Sequence, residues 1–267
     1  MTESCVTWLY AIAFDVHPVT AVRQAPALTG VAGESVHVVE ESGLLGIVGS
    51  VPVSDFGEEE LRERLQDLDW LEAAARAHHS VISTLAREGN LIPLRFATIY
   101  HDDDRVRSLL AERRADFASA LNRVAGRTEW GIKAYADPRT LEGREPHDAS
   151  PEEGSSPGTA YLLRRRAQRQ GQETAQRAAQ DRAEQIHVAL QELAVESAHH
   201  RPQDARLAQY EGSMILNTSY LVPNALTDEF VTAVQDIRGR FPDVRIELVG
   251  PWPAYSFAGD DVGPERA

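Results

Sequence analysis

Thr128-Glu129-Trp130-Gly131-Ile132-Lys133-Ala134-Tyr135-Ala136 repeats with period two: Trp130, Ile132 and Ala134 fall on one side, and Glu129, Gly131, Lys133 and Tyr135 on the other. This pattern predicts a strand. Its neighbours decide the architecture. Gly126 stops an apolar helical stripe just before it, and a long proline-free helical stretch follows it, so the strand stands between helices.

Upstream, the stripe is Val106, Leu109, Leu110, Arg113, Phe117, Leu121 and Val124. It predicts one helix started by Asp102-Asp103-Asp104, whose negative charge suits a helix N-terminus. Leu91 to Tyr100 reads as a strand with Ile92, Leu94 and Phe96 on one face. Before it, Leu61, Leu65, Leu68, Leu71, Ala75, His78, Ile82 and Leu85 recur at helical spacing to about residue 88. Asp55 is the expected cap, with Glu58 reaching back. Two short strands, Val36–Val39 and Leu44–Val48, flank a Glu41-Ser42-Gly43 turn. Residues 5–14 form a further strand, with Val6, Trp8, Tyr10, Ile12 and Phe14 expected on one buried face.

Downstream, residues 137–158 are acidic and rich in Pro, Gly and Ser, which reads as a mobile loop or linker. A helix is predicted over 159–197, with Ala175, Ala179, Ala183, Ile186, Leu190 and Leu193 as a narrow seam. At about 1.5 Å per residue it exceeds the width of a small domain, so part of it projects or packs on the other domain. Met214–Val222 reads as a strand, Leu226–Arg240 as a helix and Val244–Val249 as the last strand. The order is β-β-β-α-β-α, then β-α-β-α-β. That predicts an α+β fold of two ferredoxin-like α/β sandwiches, with helices covering one face of each sheet. The expected domains are 1–125 and 126–257, with a tail over 258–267.

The chain has 267 residues, 42% hydrophobic and 25% charged, which suits a globular protein. A net charge of −14 argues against non-specific nucleic-acid binding and against an anionic membrane surface. Cys5 stands alone, so no intrachain disulfide forms, and it is expected as a small buried residue. No secretion signal or apolar run of membrane-spanning length is seen, which points to the cytoplasm.

Nucleotide-binding, metalloprotease and hydrolase motifs are all missing. His78-His79 and His199-His200 are adjacent pairs, which a helix points about 100° apart, so neither is expected to hold a metal. Arg164-Arg165-Arg166 is expected to pair with acids such as Glu152 and Glu153. Asn217, mid-strand, is either a satisfied buried group or an interface contact. No catalytic, cofactor or metal residues are assigned, and the chain is not read as an enzyme.

The closing segment Gly250-Pro251-Trp252-Pro253-Ala254-Tyr255-Ser256-Phe257 carries three aromatics on a proline-stiffened backbone. It reads either as a docking element or as a clamp onto the chain's own domains. Together with Trp8-Leu9-Tyr10-Ala11-Ile12, Val51-Pro52-Val53-Ser54-Asp55-Phe56, Ile92 to Tyr100, Glu129 to Tyr135, Tyr161 to Arg166 and Met214 to Pro223, it makes the chain resemble the gas vesicle protein F/L family. The resemblance runs over about residues 5–258.

It implies two ferredoxin-like domains, the second with a long, coiled-coil-like helix. It also implies an accessory role in gas vesicle assembly, with the small apolar shell protein and other accessory proteins as partners. Candidate contacts are Trp252, Tyr255 and Phe257, with Ile186, Leu190 and Leu193 on the long helix. The alternative is an enzyme or small-molecule-binding protein built on paired ferredoxin-like domains. The sequence does not choose between F and L.

Overall fold

The structure is a computed structural model that describes residues 4–15, 28–137, 157–201 and 212–258. Most of the expected linker, the tail after Ala258, and Glu152 and Glu153 lie outside the described residues. The chain divides into two units: Met1–Glu129 with Pro251–Ala267, and Trp130–Gly250. The closing segment from Pro251 falls in the first unit, where the expected second domain ran from 126 to 257.

The first unit holds strands β1 (Cys5–Phe14), β2 (Val36–Glu41), β3 (Leu44–Pro52), β4 (Leu91–Pro93) and β5 (Ile99–Tyr100). Their order is β2-β3-β1-β4, with β5 also pairing β1. Ser42 (φ 53°) and Gly43 (φ 78°) join β2 to β3, a left-handed pair that matches the strand twist. In β1, Thr7 to Ala13 are all buried.

The pairing of β1 with β3 slips between Leu9, opposite Val48, and Ala11, opposite Ile47, leaving Tyr10 as an extra residue. This bulge reverses the alternation. Trp8, Tyr10, Ala11 and Ala13 face one core, while Leu9 and Ile12 face another. The expected grouping of Trp8, Tyr10, Ile12 and Phe14 on one face therefore fails after Tyr10.

Because β1 is apolar on both sides, both faces of this sheet need cover. Helices α1 (Val53–Phe56) and α3 (Leu68–Glu88) bring Phe56, Val81, Ile82 and Leu85 onto Trp8 and Ile47. Helices α4 (Asp103–Glu112) and α5 (Arg114–Val124) bring Val106, Leu110, Phe117 and Leu121 onto Leu9, Ile12 and Val48. A Cβ on Gly46 would stand 3.0 Å from a Val106 methyl, so glycine lets α4 approach the sheet. The expectation that helices cover only one face is corrected here.

Both long helices expected in this unit are broken. The first becomes α1, α2 (Glu58–Arg64) and α3. Asp67, not Asp55, is the working cap: it accepts from the amides of Asp69 (3.0 Å) and Trp70 (3.2 Å) at the start of α3. Asp55 lies inside α1 and pairs with Arg64. The second divides at Arg113, with Asp102 capping α4 through the Arg105 amide at 2.8 Å. Cys5, expected buried, is exposed.

The second unit runs β6 (Arg127–Ala136), α6 (Pro157–Gln191), β7 (Glu196–His199), β8 (Ser213–Pro223), α7 (Thr227–Arg240) and β9 (Val244–Trp252). The strand order is β7-β8-β6-β9. The helix expected over 159–197 stops at Gln191. Tight turns from Leu193 to Leu190 and from Ala194 to Gln191 close it, and the Val195 amide then bonds Leu221 to open β7. Four residues with no apolar alternation gave no strand signal. One core lies under α6 and α7, where Ile186, Leu190, Phe230, Val234 and Ile237 meet Trp130, Ile132, Ala134 and Tyr220.

Candidate functional site

The closing segment begins at Gly250, whose φ of 127° falls in a region that L side chains avoid. After the two prolines the chain turns back on itself: the Tyr255 amide donates to the Pro253 carbonyl at 2.7 Å and Phe257 to Ala254 at 3.2 Å. Phe257 is 2% exposed and Ala254 and Ala258 are 5% exposed, so the turn is seated in the first unit's core. Glu129 fixes it from below, accepting from the Ser256 amide at 2.8 Å and from its hydroxyl at 2.6 Å.

The Tyr255 hydroxyl lies 3.3 Å from His79 Nδ1, and the Trp252 ring centre 5.0 Å from that of His79. Burial, then the nearby Glu129 charge, pushes the Tyr255 hydroxyl above its ordinary range, and burial pushes His79 down. Of the three aromatics, Trp252 keeps the most accessible surface, at 37%.

The three candidates on and just after α6, which ends at Gln191, divide the same way. Ile186 and Leu190 are fully buried in the second unit's core, each contributing about 1.5–3 kcal/mol by burial, while Leu193 packs at its edge. The helix is 35 residues long, or about 50 Å. Its middle lines a cavity of about 960 Å³ with rows at four-residue spacing: Gln172, Gln176 and Gln180 beside Ala175, Ala179 and Ala183. Met214, Ile215 and Leu216 of β8 form part of the other wall.

His187 and His199 also line the cavity, with ring centres 4.7 Å apart. Buried hydroxyls hold both rings: His187 Nδ1 lies 2.9 Å from Tyr220 Oη, and His199 Nδ1 2.8 Å from Thr218 Oγ1. Burial first, then His199, lowers the affinity of His187 for a proton. The sequence reading missed this pair because its members sit on a helix and on the unrecognised strand β7. The alanine seam was its visible half.

The adjacent histidine pairs serve separate ends. His78 is buried between Trp8 and Leu94, whereas His79 turns to the closing segment. His199 bonds Thr218, and His200 bonds Ser219. Asn217 donates to the Arg201 carbonyl at 3.0 Å. Among the described residues no group of three or more His, Cys, Asp or Glu is placed to hold a metal ion. Nor is any helix among them long and apolar enough to cross a membrane.

A family model described as Gas vesicle synthesis protein GvpL/GvpF matches residues 6–259. Gas vesicle protein L of Streptomyces sp. (strain CB03234) is 42% identical over 230 residues, covering 86% of this chain and 85% of that protein. Gas vesicle protein F of the same strain is 27% identical, covering 94% and 98%. The crystal structure of gas vesicle protein GvpF from Anabaena sp. PCC7120 superposes with a TM-score of 0.69 at 18% identity, covering 96% of this chain and 99% of that one. The last of these likeness findings concerns fold.

Proposed function

The chain belongs to the GvpL/GvpF family of gas vesicle synthesis proteins, and from that premise we propose that it is an accessory protein of gas vesicle assembly that binds the small apolar shell protein and other accessory proteins. The observation that carries this reading is the family match over residues 6–259. A very apolar subunit needs its surface covered until it joins a growing wall, and a partner of net charge −14 keeps such a complex dispersed. The role is one of contact rather than catalysis, performed in the cytoplasm at the vesicle.

The contact face runs around Trp252, with Tyr255 and Phe257 seating it. On α6, Ile186 and Leu190 hold the helix in place, and Leu193, in the turn after it, contributes the edge. Identity of 42% with an L protein against 27% with the F protein of one strain supports an L-type assignment. The strand order β7-β8-β6-β9, with α6 and α7 as crossovers, supports a ferredoxin-like second unit, with a modified version in the first.

Deleting the gene and imaging cells by electron microscopy tests the role. Vesicles of normal number and shape in the deletion strain would remove it. Pull-down of the shell protein with Trp252→Ala tests the face, and unchanged capture excludes it.

The cavity beside His187 and His199 favours a second reading, a small-molecule site on ferredoxin-like units. A ligand from a metabolite screen that perturbs the His187 and His199 resonances supports that reading, and a screen without such a ligand counts against it.

A further inference from the structure

We propose that a second copy of this chain docks through two unlike patches, the acidic shoulder at α2–α3 of one copy meeting the basic half of α6 in the other. Between Glu58 and Asp69 the chain carries six carboxylates against two arginines. Helix α2 buries no residue of its own. In this acidic surface stand Leu65, 37% exposed, and Leu68, 76% exposed. Both leave apolar area in water, Leu68 most of its side chain.

The other patch is predominantly of the opposite sign. Between Tyr161 and Arg182 the chain carries six arginines against two carboxylates, although the whole chain is at −14. Arg165, Arg166, Arg169 and Arg177 are exposed. Tyr161, 61% exposed, lies one turn before Arg165, whose guanidinium reaches its hydroxyl at 3.5 Å. Arginine forks suit carboxylates in pairs, and tyrosine suits a leucine surface. Each patch thus has an apolar centre in a charged frame, and the two frames are opposite in sign.

Two molecules at −14 repel at long range, while the patches attract at contact. Near 0.1 M salt the screening length is about 10 Å, which suppresses the first more than the second. Association is therefore expected at about 0.1 M salt and is lost towards about 1 M, where the screening length is about 3 Å. The contact joins unlike surfaces, so each copy offers one of each and the contact can repeat.

The test is complementation. The full chain is measured by sedimentation velocity and light scattering, beside Leu65→Ser/Leu68→Ser and Arg165→Glu/Arg169→Glu. All substituted side chains are exposed, and circular dichroism checks that both variants fold. The full chain is expected to associate at about 0.1 M salt and to weaken at least about tenfold near 1 M. Each variant alone stays monomeric, while an equimolar mixture forms a one-to-one complex, because each retains the patch the other lacks. A monomeric full chain, variants that associate like it, or a mixture that does not combine would each overturn the proposal. So would an acidic accessory protein that binds the arginine patch while the chain does not bind itself. None of these outcomes bears on the family role, which the deletion strain tests separately.

Discussion

Glu129 holds Ser256 with both carboxylate oxygens, at 2.8 Å to the amide and 2.6 Å to the hydroxyl, across 127 positions of sequence. Glu129 is 5% exposed, so its carboxyl group is buried and held by the Ser256 donors of the closing segment. Glu129→Ala leaves the Ser256 amide without this acceptor. It is expected to cost about 2–4 kcal/mol in urea unfolding, while Glu129→Gln, which keeps one acceptor, costs less. Hydrogen exchange at Tyr255–Phe257 should rise with the alanine variant. A stability within about 0.5 kcal/mol of the parent would mean that Phe257 packing alone holds the segment.

His78 predicts a pH dependence. The Trp8 indole donates to its Nδ1 at 3.1 Å, so the other nitrogen, Nε2, carries the hydrogen and donates to the Leu94 carbonyl at 3.2 Å. The neutral ring satisfies both partners. Burial is the main cause that pushes its pKa from 6.5 down to about 4, with His79 adding to the effect. Above 6.5 both folded and unfolded chains hold the ring neutral, and nothing is lost. As pH falls from 6.5 to 4 only the unfolded chain takes the proton, so stability drains by about 3 kcal/mol. Below 4 the folded ring protonates too and the loss stops growing. His78→Gln keeps one acceptor and one donor, and its unfolding midpoint should fall less between pH 7 and 4. Parallel curves for the two proteins would assign the acid sensitivity elsewhere.

Asp67 and Asp55 show which parts of the fold were legible. Period-two and helical spacing located the strands around Trp130, Tyr220 and Ile246 and the helices around Ile82, Phe117 and Val234, because burial of one face writes itself into the pattern. Breaks inside a continuous apolar stripe did not show. The turn at Gln66–Asp67 and the joint at Arg113 leave the leucine spacing intact. The bulge at Tyr10 was hidden because both faces of β1 are apolar, so a slip changes no residue type. The closing segment was visible, but its partners, Glu129 for Ser256 and His79 for the aromatics, lie far away in sequence. Asp67→Ala is therefore expected to cost about 1 kcal/mol through the lost cap. Asp55→Ala loses only a partly exposed ion pair with Arg64, worth less than about 1 kcal/mol. Equal losses for the two in thermal unfolding would contradict the assignment of Asp67 as the cap.

The titration of His187 should report on its neighbour His199. Their ring centres are 4.7 Å apart, and each ring is fixed through Nδ1 to a different hydroxyl of β8. Burial is the first cause that lowers the His187 pKa, repulsion from His199 the second, and Glu184 acts in the opposite sense. Removing His199 takes away the second cause and leaves the first. In an NMR titration His199→Ala should therefore move the His187 midpoint upward without restoring it to that of a free imidazole. Glu184→Gln should move it downward, since that carboxylate supports the imidazolium. Opposite displacements by the two variants identify charge as the coupling. A His187 midpoint indifferent to both would mean that burial against Tyr220 sets it alone.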